Sequence, residues 1–373
     1  MSARIFLHFL LLGCVSFGGP TAHIAYFRKV FVEQRQWLSD EDFARQLALC
    51  QFLPGPASSQ LGFAIALQRG GIPAAFAAFI GFTLPSFLLM YGLAVFSLAQ
   101  TPVWMQSLVA GMKLLALVVV ADALINMARQ FCSGPWLWAT ASLSALALLF
   151  MMNPALQLSL MLGAALVAYF RSPKVECDPL PSARPARIPL LIFVVLLAVA
   201  ALIPDAVFSE FYLVGSMVFG GGHVALPLLN AFVGDELSSE QFILGYAAAQ
   251  VVPGPMFSMS AYLGAMLSPA QPFVGALAAC TAIFLPGFLL VLGLSRAWYT
   301  LAARPRVRAA VAGVNAVAVG MLAAAWVDPL LLELPREAAS IGMAIALFAA
   351  LRSGKVPLLA LIGVVVVYSL FFL

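Results

Sequence analysis

Charged residues are scarce in this sequence. Lys, Arg, Asp and Glu make up 9% of 373 residues, whereas soluble proteins average about 25%. Hydrophobic residues make up 63%, and the mean hydropathy is +1.03. No soluble core could bury this much apolar surface, so the composition excludes a soluble globular protein. Apolar runs of the roughly 17–25 residues that a helical span needs fill nearly the whole chain. The prediction is an all-α polytopic membrane protein.

Clustered catalytic and metal-ligating residues are also lacking. The chain has three histidines, and its five cysteines have neither metal-ligand nor disulfide spacing. No HExxH, Walker or dinucleotide-binding glycine motif is present. The sequence therefore predicts no catalytic residue, no metal and no cofactor. The net charge of +4 is small and the basic residues concentrate in loops, which gives no indication of nucleic-acid binding.

What the sequence does contain is an internal repeat. Four pairs of segments match: FGG at 17–19 and 219–221, SDEDFARQLALCQFLPGP at 39–56 and SSEQFILGYAAAQVVPGP at 238–255, LPSFLLMYGL at 84–93 and LPGFLLVLGL at 285–294, and VAG at 109–111 and 311–313. The offset stays between 199 and 202 residues, which indicates a tandem duplication. We predict a first transmembrane repeat (1–170), a cytoplasmic basic and Pro-rich loop (171–187), a linking transmembrane segment (188–203) and a second, inverted repeat (204–373).

The inversion is predicted from charge. The loop at 28–45 carries four basic residues, whereas its counterpart at 229–241 carries only acidic ones. Conversely, the loop at 97–107 is uncharged and its counterpart at 295–308 carries four arginines. Because basic loops stay on the cytoplasmic side, equivalent loops of the two repeats lie on opposite sides of the membrane.

The number of times that each repeat can cross the membrane predicts irregular helices at the glycine and proline motifs. The inversion works only if the FGG and PGP segments do not make simple crossings, so we expect broken or re-entrant helices there. Irregular backbone at membrane depth must be buried in protein or line a cavity. Paired breaks in inverted halves mark the binding site of many transporters. A single Gly-Gly or Pro-Gly-Pro is more often only a kink or a close-packing point.

These breaks predict a pocket for an oxyanion. Pro20, Pro56 and Pro255 are placed to begin helices, whose N-termini present free N–H groups and a partial positive charge. Neutral donors lie beside them, Gln60 and Ser260 included. The predicted substrate-binding residues at the breaks are Gly18, Gly19, Pro20, Thr21, His23, Gln51, Gly55, Pro56, Ser58, Ser59, Gly220, Gly221, Gly222, His223, Gln250, Gly254, Pro255 and Ser258.

Four further polar residues lie in apolar segments. Lys113 is predicted as a countercharge for the anion, and Asn315 is its counterpart in the second repeat. Asp122 and Glu210 are candidate proton-coupling carboxylates, because ionisable groups at membrane depth are costly and usually functional. Alternatives remain open: Lys113 can snorkel to the interface, and Asp122 can lie near the cytoplasmic end beside Asn126.

The motifs resemble those of the chromate ion transporter family in its long, two-domain form. The resemblance rests on Phe17 to Pro20, on Gln51 with Pro54 to Pro56, on Phe219 to His223, and on Gln250 with Pro253 to Pro255, and it covers both halves. It implies a bacterial inner-membrane secondary transporter that exports chromate and confers chromate resistance. Chromate is a tetrahedral dianion similar to sulfate in shape and charge.

Three functions follow. The first is alternating-access export of chromate, driven by the proton gradient. The second is transport or exchange of sulfate or another oxyanion, and the third, least favoured, is a membrane-embedded enzyme. The predicted partners are the oxyanion and the lipid bilayer, and the sequence leaves a homodimer open.

Overall fold

A computed structural model describes residues 2–99, 103–151, 153–173, 184–203, 206–219, 222–233, 236–332 and 337–372. The first half contains α1 (Ser2–Val15), α2 (Gly19–Phe27) continued by a π-helix (Arg28–Gln34), α3 (Asp40–Phe52), α4 (Ala57–Ala99), α5 (Val103–Phe131), α6 (Pro135–Phe150) and α7 (Pro154–Arg171). After α8 (Arg187–Leu202), the second half contains α9 (Val207–Met217), α10 (Ala225–Val233), α11 (Ser239–Val251), α12 (Met259–Leu267), α13 (Pro272–Leu294), α14 (Trp298–Ala302), α15 (Pro305–Ala325), α16 (Ala338–Arg352) and α17 (Leu358–Phe372). Three short helices complete it: 3-10 turns at Gly222–Val224 and Met256–Ser258 and a π-helix at Trp326–Leu331. The all-helical prediction is confirmed.

The FGG segment of the first half is the turn of a helical hairpin. Phe9 in α1 stacks on Phe31, with 4.9 Å between ring centroids, and meets Phe27 edge-on at 5.6 Å. Phe9 precedes the break at 16–18 and its partners follow it, so the chain must reverse direction there. We name this unit hairpin 1.

The PGP segments are also hairpin turns. Gln46 in α3 hydrogen-bonds to Gln68 near the end of the first part of α4, and α4 changes direction at Gly70 and Gly71. In the second half, a Cβ on Gly245 of α11 would lie 2.5 Å from the Tyr262 ring of α12. Each arm is a helix of about 20 Å or less at 1.5 Å per residue, which is too short for an apolar core of about 30 Å. The prediction of broken or re-entrant helices is therefore confirmed for these segments, and the structure makes each of them a helical hairpin.

The two halves run in opposite directions. Phe79 in the second part of α4 contacts Phe284 and Phe288 in α13 at 5.0 and 4.8 Å, and Phe87 contacts Phe273 at 6.2 Å. As residue numbers rise along α4 they fall along α13, so these helices are antiparallel. Because they carry the matched LPSF and LPGF motifs, the two repeats cross the membrane in opposite senses, as predicted.

Helices are exchanged between the halves. In the first half, α5 packs against α16 and α17 of the second, and α15 of the second half packs against α6 and α7 of the first. Small residues allow this close packing: a Cβ on Gly313 would lie 2.6 Å from the Ala164 carbonyl oxygen, and one on Gly320 would lie 2.4 Å from that of Ala141. The two sequence repeats are therefore interlocked in space.

Basic residues gather on one face. Arg171 lies over the Trp136 ring at 4.6 Å and Arg306 over the Tyr169 ring at 5.3 Å, while Arg45 and Arg296 line one cavity. Arg296 and Arg306 flank the short helix α14, so the two groups of arginines lie at the same end of the molecule. We call this end the basic face, and the positive-inside rule predicts that it faces the cytoplasm.

Among the described residues, five helices are long and apolar enough to cross a membrane: 57–98, 110–131, 154–171, 272–294 and 305–331. The linking segment predicted at 188–203 is a shorter apolar helix of 16 residues, α8.

Close packing of α9 on α13 gives a stability prediction. A Cβ on Gly215 would lie 2.2 Å from the Ile283 carbonyl oxygen, whereas nothing lies within 4 Å of a Cβ on Gly163, which is also helical. We expect Gly215→Ala to lower the melting temperature in detergent, since overpacking costs about 1–3 kcal/mol. Gly163→Ala should leave it unchanged or slightly raised. Equal melting temperatures for the two variants would contradict the packing of α9.

Candidate functional site

The two PGP turns are bonded crosswise to the FGG breaks of the opposite half. The Gly55 N–H donates to the Val218 carbonyl oxygen at 2.7 Å, and the Gly254 N–H donates to the Ser16 carbonyl oxygen at 2.9 Å. Ser16 and Val218 each immediately precede an FGG motif. The two bonds are therefore equivalent under the repeat, and we call the region that they join the crossing.

Each PGP glycine also packs against the LPxF motif of the other half. Gly55 and Gly254 have φ angles of 116° and 108°, in the left-handed region that favours glycine. A Cβ on Gly55 would lie 3.2 Å from the Gly287 Cα, and one on Gly254 would lie 2.9 Å from the Ser86 Oγ. Ser86 and Gly287 are equivalent positions, so this contact is also reciprocal.

Helices begin at the breaks, as the prolines predict. The first, α2, starts at Gly19 with Pro20 in its first turn and Gly18 as N-cap, where φ is 97°. The second, α4, starts directly after Pro56, and a 3-10 turn starts directly after Pro255. These N-termini present backbone N–H groups at the ends of the hairpins.

The second FGG break is seen only in part. Gly220 and Gly221 lie outside the described residues. Gly222 is buried and begins a 3-10 turn, and a Cβ there would lie 3.2 Å from the Met256 Cε. This break therefore packs against the PGP turn of its own half.

His23 ties the first break to the first PGP hairpin. It is 1% exposed, and its Nε2 lies 3.2 Å from the Ser16 carbonyl oxygen while its Nδ1 lies 3.3 Å from the Ser58 Oγ. A carbonyl can only accept, so Nε2 donates, and in the neutral ring Nδ1 accepts from the Ser58 hydroxyl. The Ser16 carbonyl thus receives both the imidazole and the Gly254 N–H, which couples His23 to the crossing.

Gln60 lies directly beneath the first PGP turn. It is fully buried, and its Nε2 donates to the Pro54 carbonyl oxygen at 2.8 Å. A Cβ on Gly287 would lie 2.6 Å from this Nε2. The amide therefore braces the turn against the other half.

Two equivalent serines are buried without a protein partner. Ser59 and Ser258 each stand three residues after the last proline of a PGP motif, and they are 4% and 1% exposed. Neither Oγ has a hydrogen-bond partner among the described residues, and the Ser16 Oγ is in the same situation. Buried hydroxyls without partners cost free energy. Ser59 lines a small cavity whose other walls are formed by Phe9, Gly62, Phe63, Ala78, Phe79 and Phe82.

In the second half the predicted polar residues have other partners. The His223 Nδ1 lies 2.9 Å from the Tyr246 Oη. Gln250 is 8% exposed and directs its Nε2 to the Met256 Sδ at 3.2 Å. His23 and His223 thus belong to different networks, as their unequal offsets suggest.

Thr21 and Gln51 differ from the expectation of a shared buried pocket, because both side chains are exposed. The matched glutamines Gln51 and Gln250 are therefore not equivalent in space. The reason lies in packing: α11 is covered by α5, α12 and α4, whereas α3 packs on α4 and the π-helix that follows α2.

The ionisable residues of the apolar segments are partnered or half-buried. Asp122 forms an ion pair with Arg352 at 3.1 Å and accepts a hydrogen bond from Asn126 at 2.9 Å. Lys113 is half-buried on the same helix, α5.

The remaining two polar residues are buried. Asn315, the counterpart of Lys113, is 7% exposed, and its Oδ1 has no hydrogen-bond partner among the described residues. Glu210 is 8% exposed in the first turn of α9.

Sequence reasoning missed Ser16, Ser86 and Tyr246. Ser86 falls in a repeated motif, and Ser16 directly precedes FGG, so repeat position could have signalled both. Nothing in the sequence links Tyr246 to His223, because the two lie on separate helices.

Substitution of the PGP glycines tests the crossing. We expect Gly55→Ala and Gly254→Ala to lower the melting temperature, because each combines a left-handed φ with a contact across the halves. Gly354→Ala is the matched control, since Gly354 has φ 65° but nothing within 4 Å of a Cβ. If all three variants lose the same stability, backbone strain alone accounts for the effect and the crossing contributes nothing.

The comparisons with known proteins agree with this geometry. The chromate transporter family profile matches residues 3–169 and 206–370, one match for each half. The probable chromate transport protein of Synechococcus elongatus is 28% identical over 332 residues, covering 86% of this chain and 82% of the relative. The chromate transport proteins of Pseudomonas aeruginosa and Cupriavidus metallidurans are each 26% identical over 336 residues, covering 87% and 86% of this chain and 80% and 81% of the relatives. No solved structure matches the chain significantly. With both halves matched, this multi-pass membrane protein belongs to the chromate transporter family.

Proposed function

We propose that this protein exports chromate across the bacterial inner membrane by alternating access, driven by the proton gradient. The observation that carries the proposal is the pair of equivalent, buried and unpartnered hydroxyls of Ser59 and Ser258 beside the crossing. Together with backbone N–H groups at the hairpin ends, they supply neutral donors for a tetrahedral oxyanion. Relatives that are named chromate transport proteins supply the substrate of the proposal.

Neutral donors suit a transporter. A full countercharge in a low-dielectric site would hold a dianion strongly, whereas dipoles and hydroxyls allow release. Lys113 in α5 then adds long-range attraction, with Asn315 as its uncharged counterpart in α15. In this proposal, the other predicted residues of the FGG and PGP motifs contribute to the pocket through their backbone groups and not through their side chains.

Access from the basic face supports export. A cavity of about 720 Å³ opens between α3, the first part of α4, the start of α8 and the end of α13. Arg45 and Arg296 line it, and it reaches Leu49 and Ala64 on the two arms of the first PGP hairpin. Asp42 lines the same cavity and pairs with Arg45 at 2.9 Å, so Arg296 supplies the basic charge of this opening. An anion in the cytoplasm would enter here toward the hairpin turn at Gly55.

The reciprocal architecture supports alternating access. In inverted-repeat transporters, exchange of conformation between the two halves converts an inward-open state into an outward-open one. Because Gly55 and Gly254 make equivalent hydrogen bonds, each half is joined to the other in the same way. We assign proton coupling to Asp122 or Glu210, the first because it is an ionisable group in the apolar helix α5 and the second because it is a buried carboxylate.

Transport of labelled chromate into everted membrane vesicles energised with NADH tests the function. We expect accumulation that a protonophore abolishes and that excess sulfate competes with weakly. Ser59→Ala combined with Ser258→Ala should raise the apparent KM about tenfold or more, since each lost hydrogen bond to a charged ligand costs about 1.5–3 kcal/mol. Ser369→Ala is the control, because Ser369 is equally buried but bonds to Val365 of its own helix.

Three outcomes distinguish chromate export from transport of another oxyanion and from the absence of export. Accumulation that the double serine variant alone impairs supports the site and the substrate. Strong competition by sulfate, with labelled sulfate accumulating in place of chromate, moves the substrate to another oxyanion. No accumulation of either anion beyond vesicles without the protein would refute export.

Two variants test whether Asp122 couples transport to protons: one removes the charge of Asp122, and the other removes only its ion pair with Arg352. We expect Asp122→Asn to abolish proton-driven accumulation but to retain exchange of chromate for chromate, because exchange needs no net proton movement. Arg352→Gln removes the ion pair while keeping the carboxyl, so it should retain accumulation. Equal loss in both variants would make the Asp122–Arg352 pair structural, and Glu210→Gln would then be the remaining candidate in the same assay.

A further inference from the structure

A second cavity lined by basic residues lies at the open end of hairpin 1, away from its FGG turn and from the crossing. It has a volume of about 490 Å³ and is lined by residues from α1, from the turn after the π-helix and from the first part of α4: Arg4, Ile5, His8, Arg35, Trp37 and Arg69. We propose that this cavity binds a tetrahedral oxyanion at the cytoplasmic face.

The cavity has an aromatic wall. Trp37 stacks on Phe31 with 4.7 Å between ring centroids. The centroid of the His8 ring in α1 lies 5.7 Å from that of Trp37. The Arg69 guanidinium lies 5.8 Å from the Trp37 centroid. Stacking on an indole orients the planar guanidinium while leaving its N–H groups available.

The charge of the cavity is uncompensated. None of its lining residues is acidic, and no ion pair of Arg4, Arg35 or Arg69 occurs within the part of the chain that the structure describes. Three guanidiniums that converge on one cavity repel one another, and an anion between them would relieve this repulsion.

Neighbouring arginines behave differently. Arg28 pairs with Glu33 at 3.0 Å and with Asp40 at 2.9 Å. Arg45 pairs with Glu41 at 3.1 Å and with Asp42 at 2.9 Å. The local carboxylates are therefore used by arginines outside the cavity, which leaves the cavity available to an external anion.

The backbone turn that builds the cavity is strained. Gln36 has a φ of 50°, the one positive φ at a non-glycine position among the described residues. It stands between two lining residues, and the Trp37 N–H donates to the Phe31 carbonyl oxygen at 2.7 Å. Such strain concentrates at functional sites, and here it places Arg35 and Trp37 at the same cavity.

The chemistry fits an oxyanion with several oxygens, since guanidiniums bind such groups through paired N–H donors. Two sources exist on this face. One is the dissolved anion that the protein transports, which rests on the proposed function and would make the cavity a first docking point. The other is the phosphate of an anionic lipid in the cytoplasmic leaflet.

Equilibrium binding in nanodiscs tests the proposal without requiring transport. Labelled sulfate is the probe for the dissolved anion, measured with the full-length protein in discs of phosphatidylcholine alone. Native mass spectrometry of discs that contain phosphatidylglycerol detects a retained anionic lipid. The variants are Arg35→Gln with Arg69→Gln, the charge-preserving Arg35→Lys with Arg69→Lys, and the control Arg28→Gln, which removes an exposed arginine on the same face.

If the occupant is the dissolved anion, sulfate binding weakens at least about tenfold in the glutamine variant, weakens less in the lysine variant and is unchanged in Arg28→Gln. If it is a lipid phosphate, the glutamine variant loses retained phosphatidylglycerol and the control keeps it. Equal behaviour of the glutamine variant and Arg28→Gln in both arms overturns the proposal. Failure of chromate transport would leave these binding results intact, so the two proposals fail separately.

Discussion

The fold depends on how irregular backbone is satisfied inside the membrane. An unpaired N–H in lipid costs several kcal/mol, so a broken helix is tolerated only where its polar groups find partners. Here the partner of each PGP turn is a carbonyl oxygen at the FGG break of the other half, at Val218 for Gly55 and at Ser16 for Gly254. Neither half can complete these bonds alone, which explains why the repeats are interlocked. The left-handed glycines and the small residues Ser86 and Gly287 follow from the same requirement, because the turns must approach the opposite half closely.

The side chains beside the crossing differ between the two repeats, although the backbone hydrogen bonds there are equivalent. The first half supplies Ser16, His23, Ser58 and Gln60, whereas the repeat places Val218, Ala225, Phe257 and Met259 at the corresponding positions. Only Ser59 and Ser258 keep the same side chain, burial and lack of partner in both halves. The backbone hydrogen bonds at the crossing are therefore shared by both repeats, whereas most of the polar side chains beside them come from the first half.

Much of the architecture could be predicted because a membrane restricts the choices. Low charge, the repeat offset and the swapped basic loops predicted an all-α chain with inverted halves, and the antiparallel course of α4 and α13 agrees. The number of crossings predicted irregular segments at FGG and PGP, although it could not tell a broken helix from a hairpin. The contacts of Phe9 with Phe27 and of Gln46 with Gln68 decide for hairpins in the first half. The site was harder: Thr21 and Gln51 are exposed, and Asp122 is paired with Arg352, a residue of another helix that no local pattern connects to it.

The sequence by itself determined the class of protein, the duplication, the orientation of the halves and the positions of the breaks. These properties follow from composition, periodicity and charge, which act locally or through the rules of membrane insertion. Only the tertiary structure decided which break meets which, that Gly55 bonds to the opposite half and that His23 shares a carbonyl with Gly254. It also decided that Arg4, Arg35 and Arg69 line one cavity together with Trp37. Contacts of this kind depend on how hairpins dock against each other, and the free energy of docking comes from packing between segments that lie far apart in the chain.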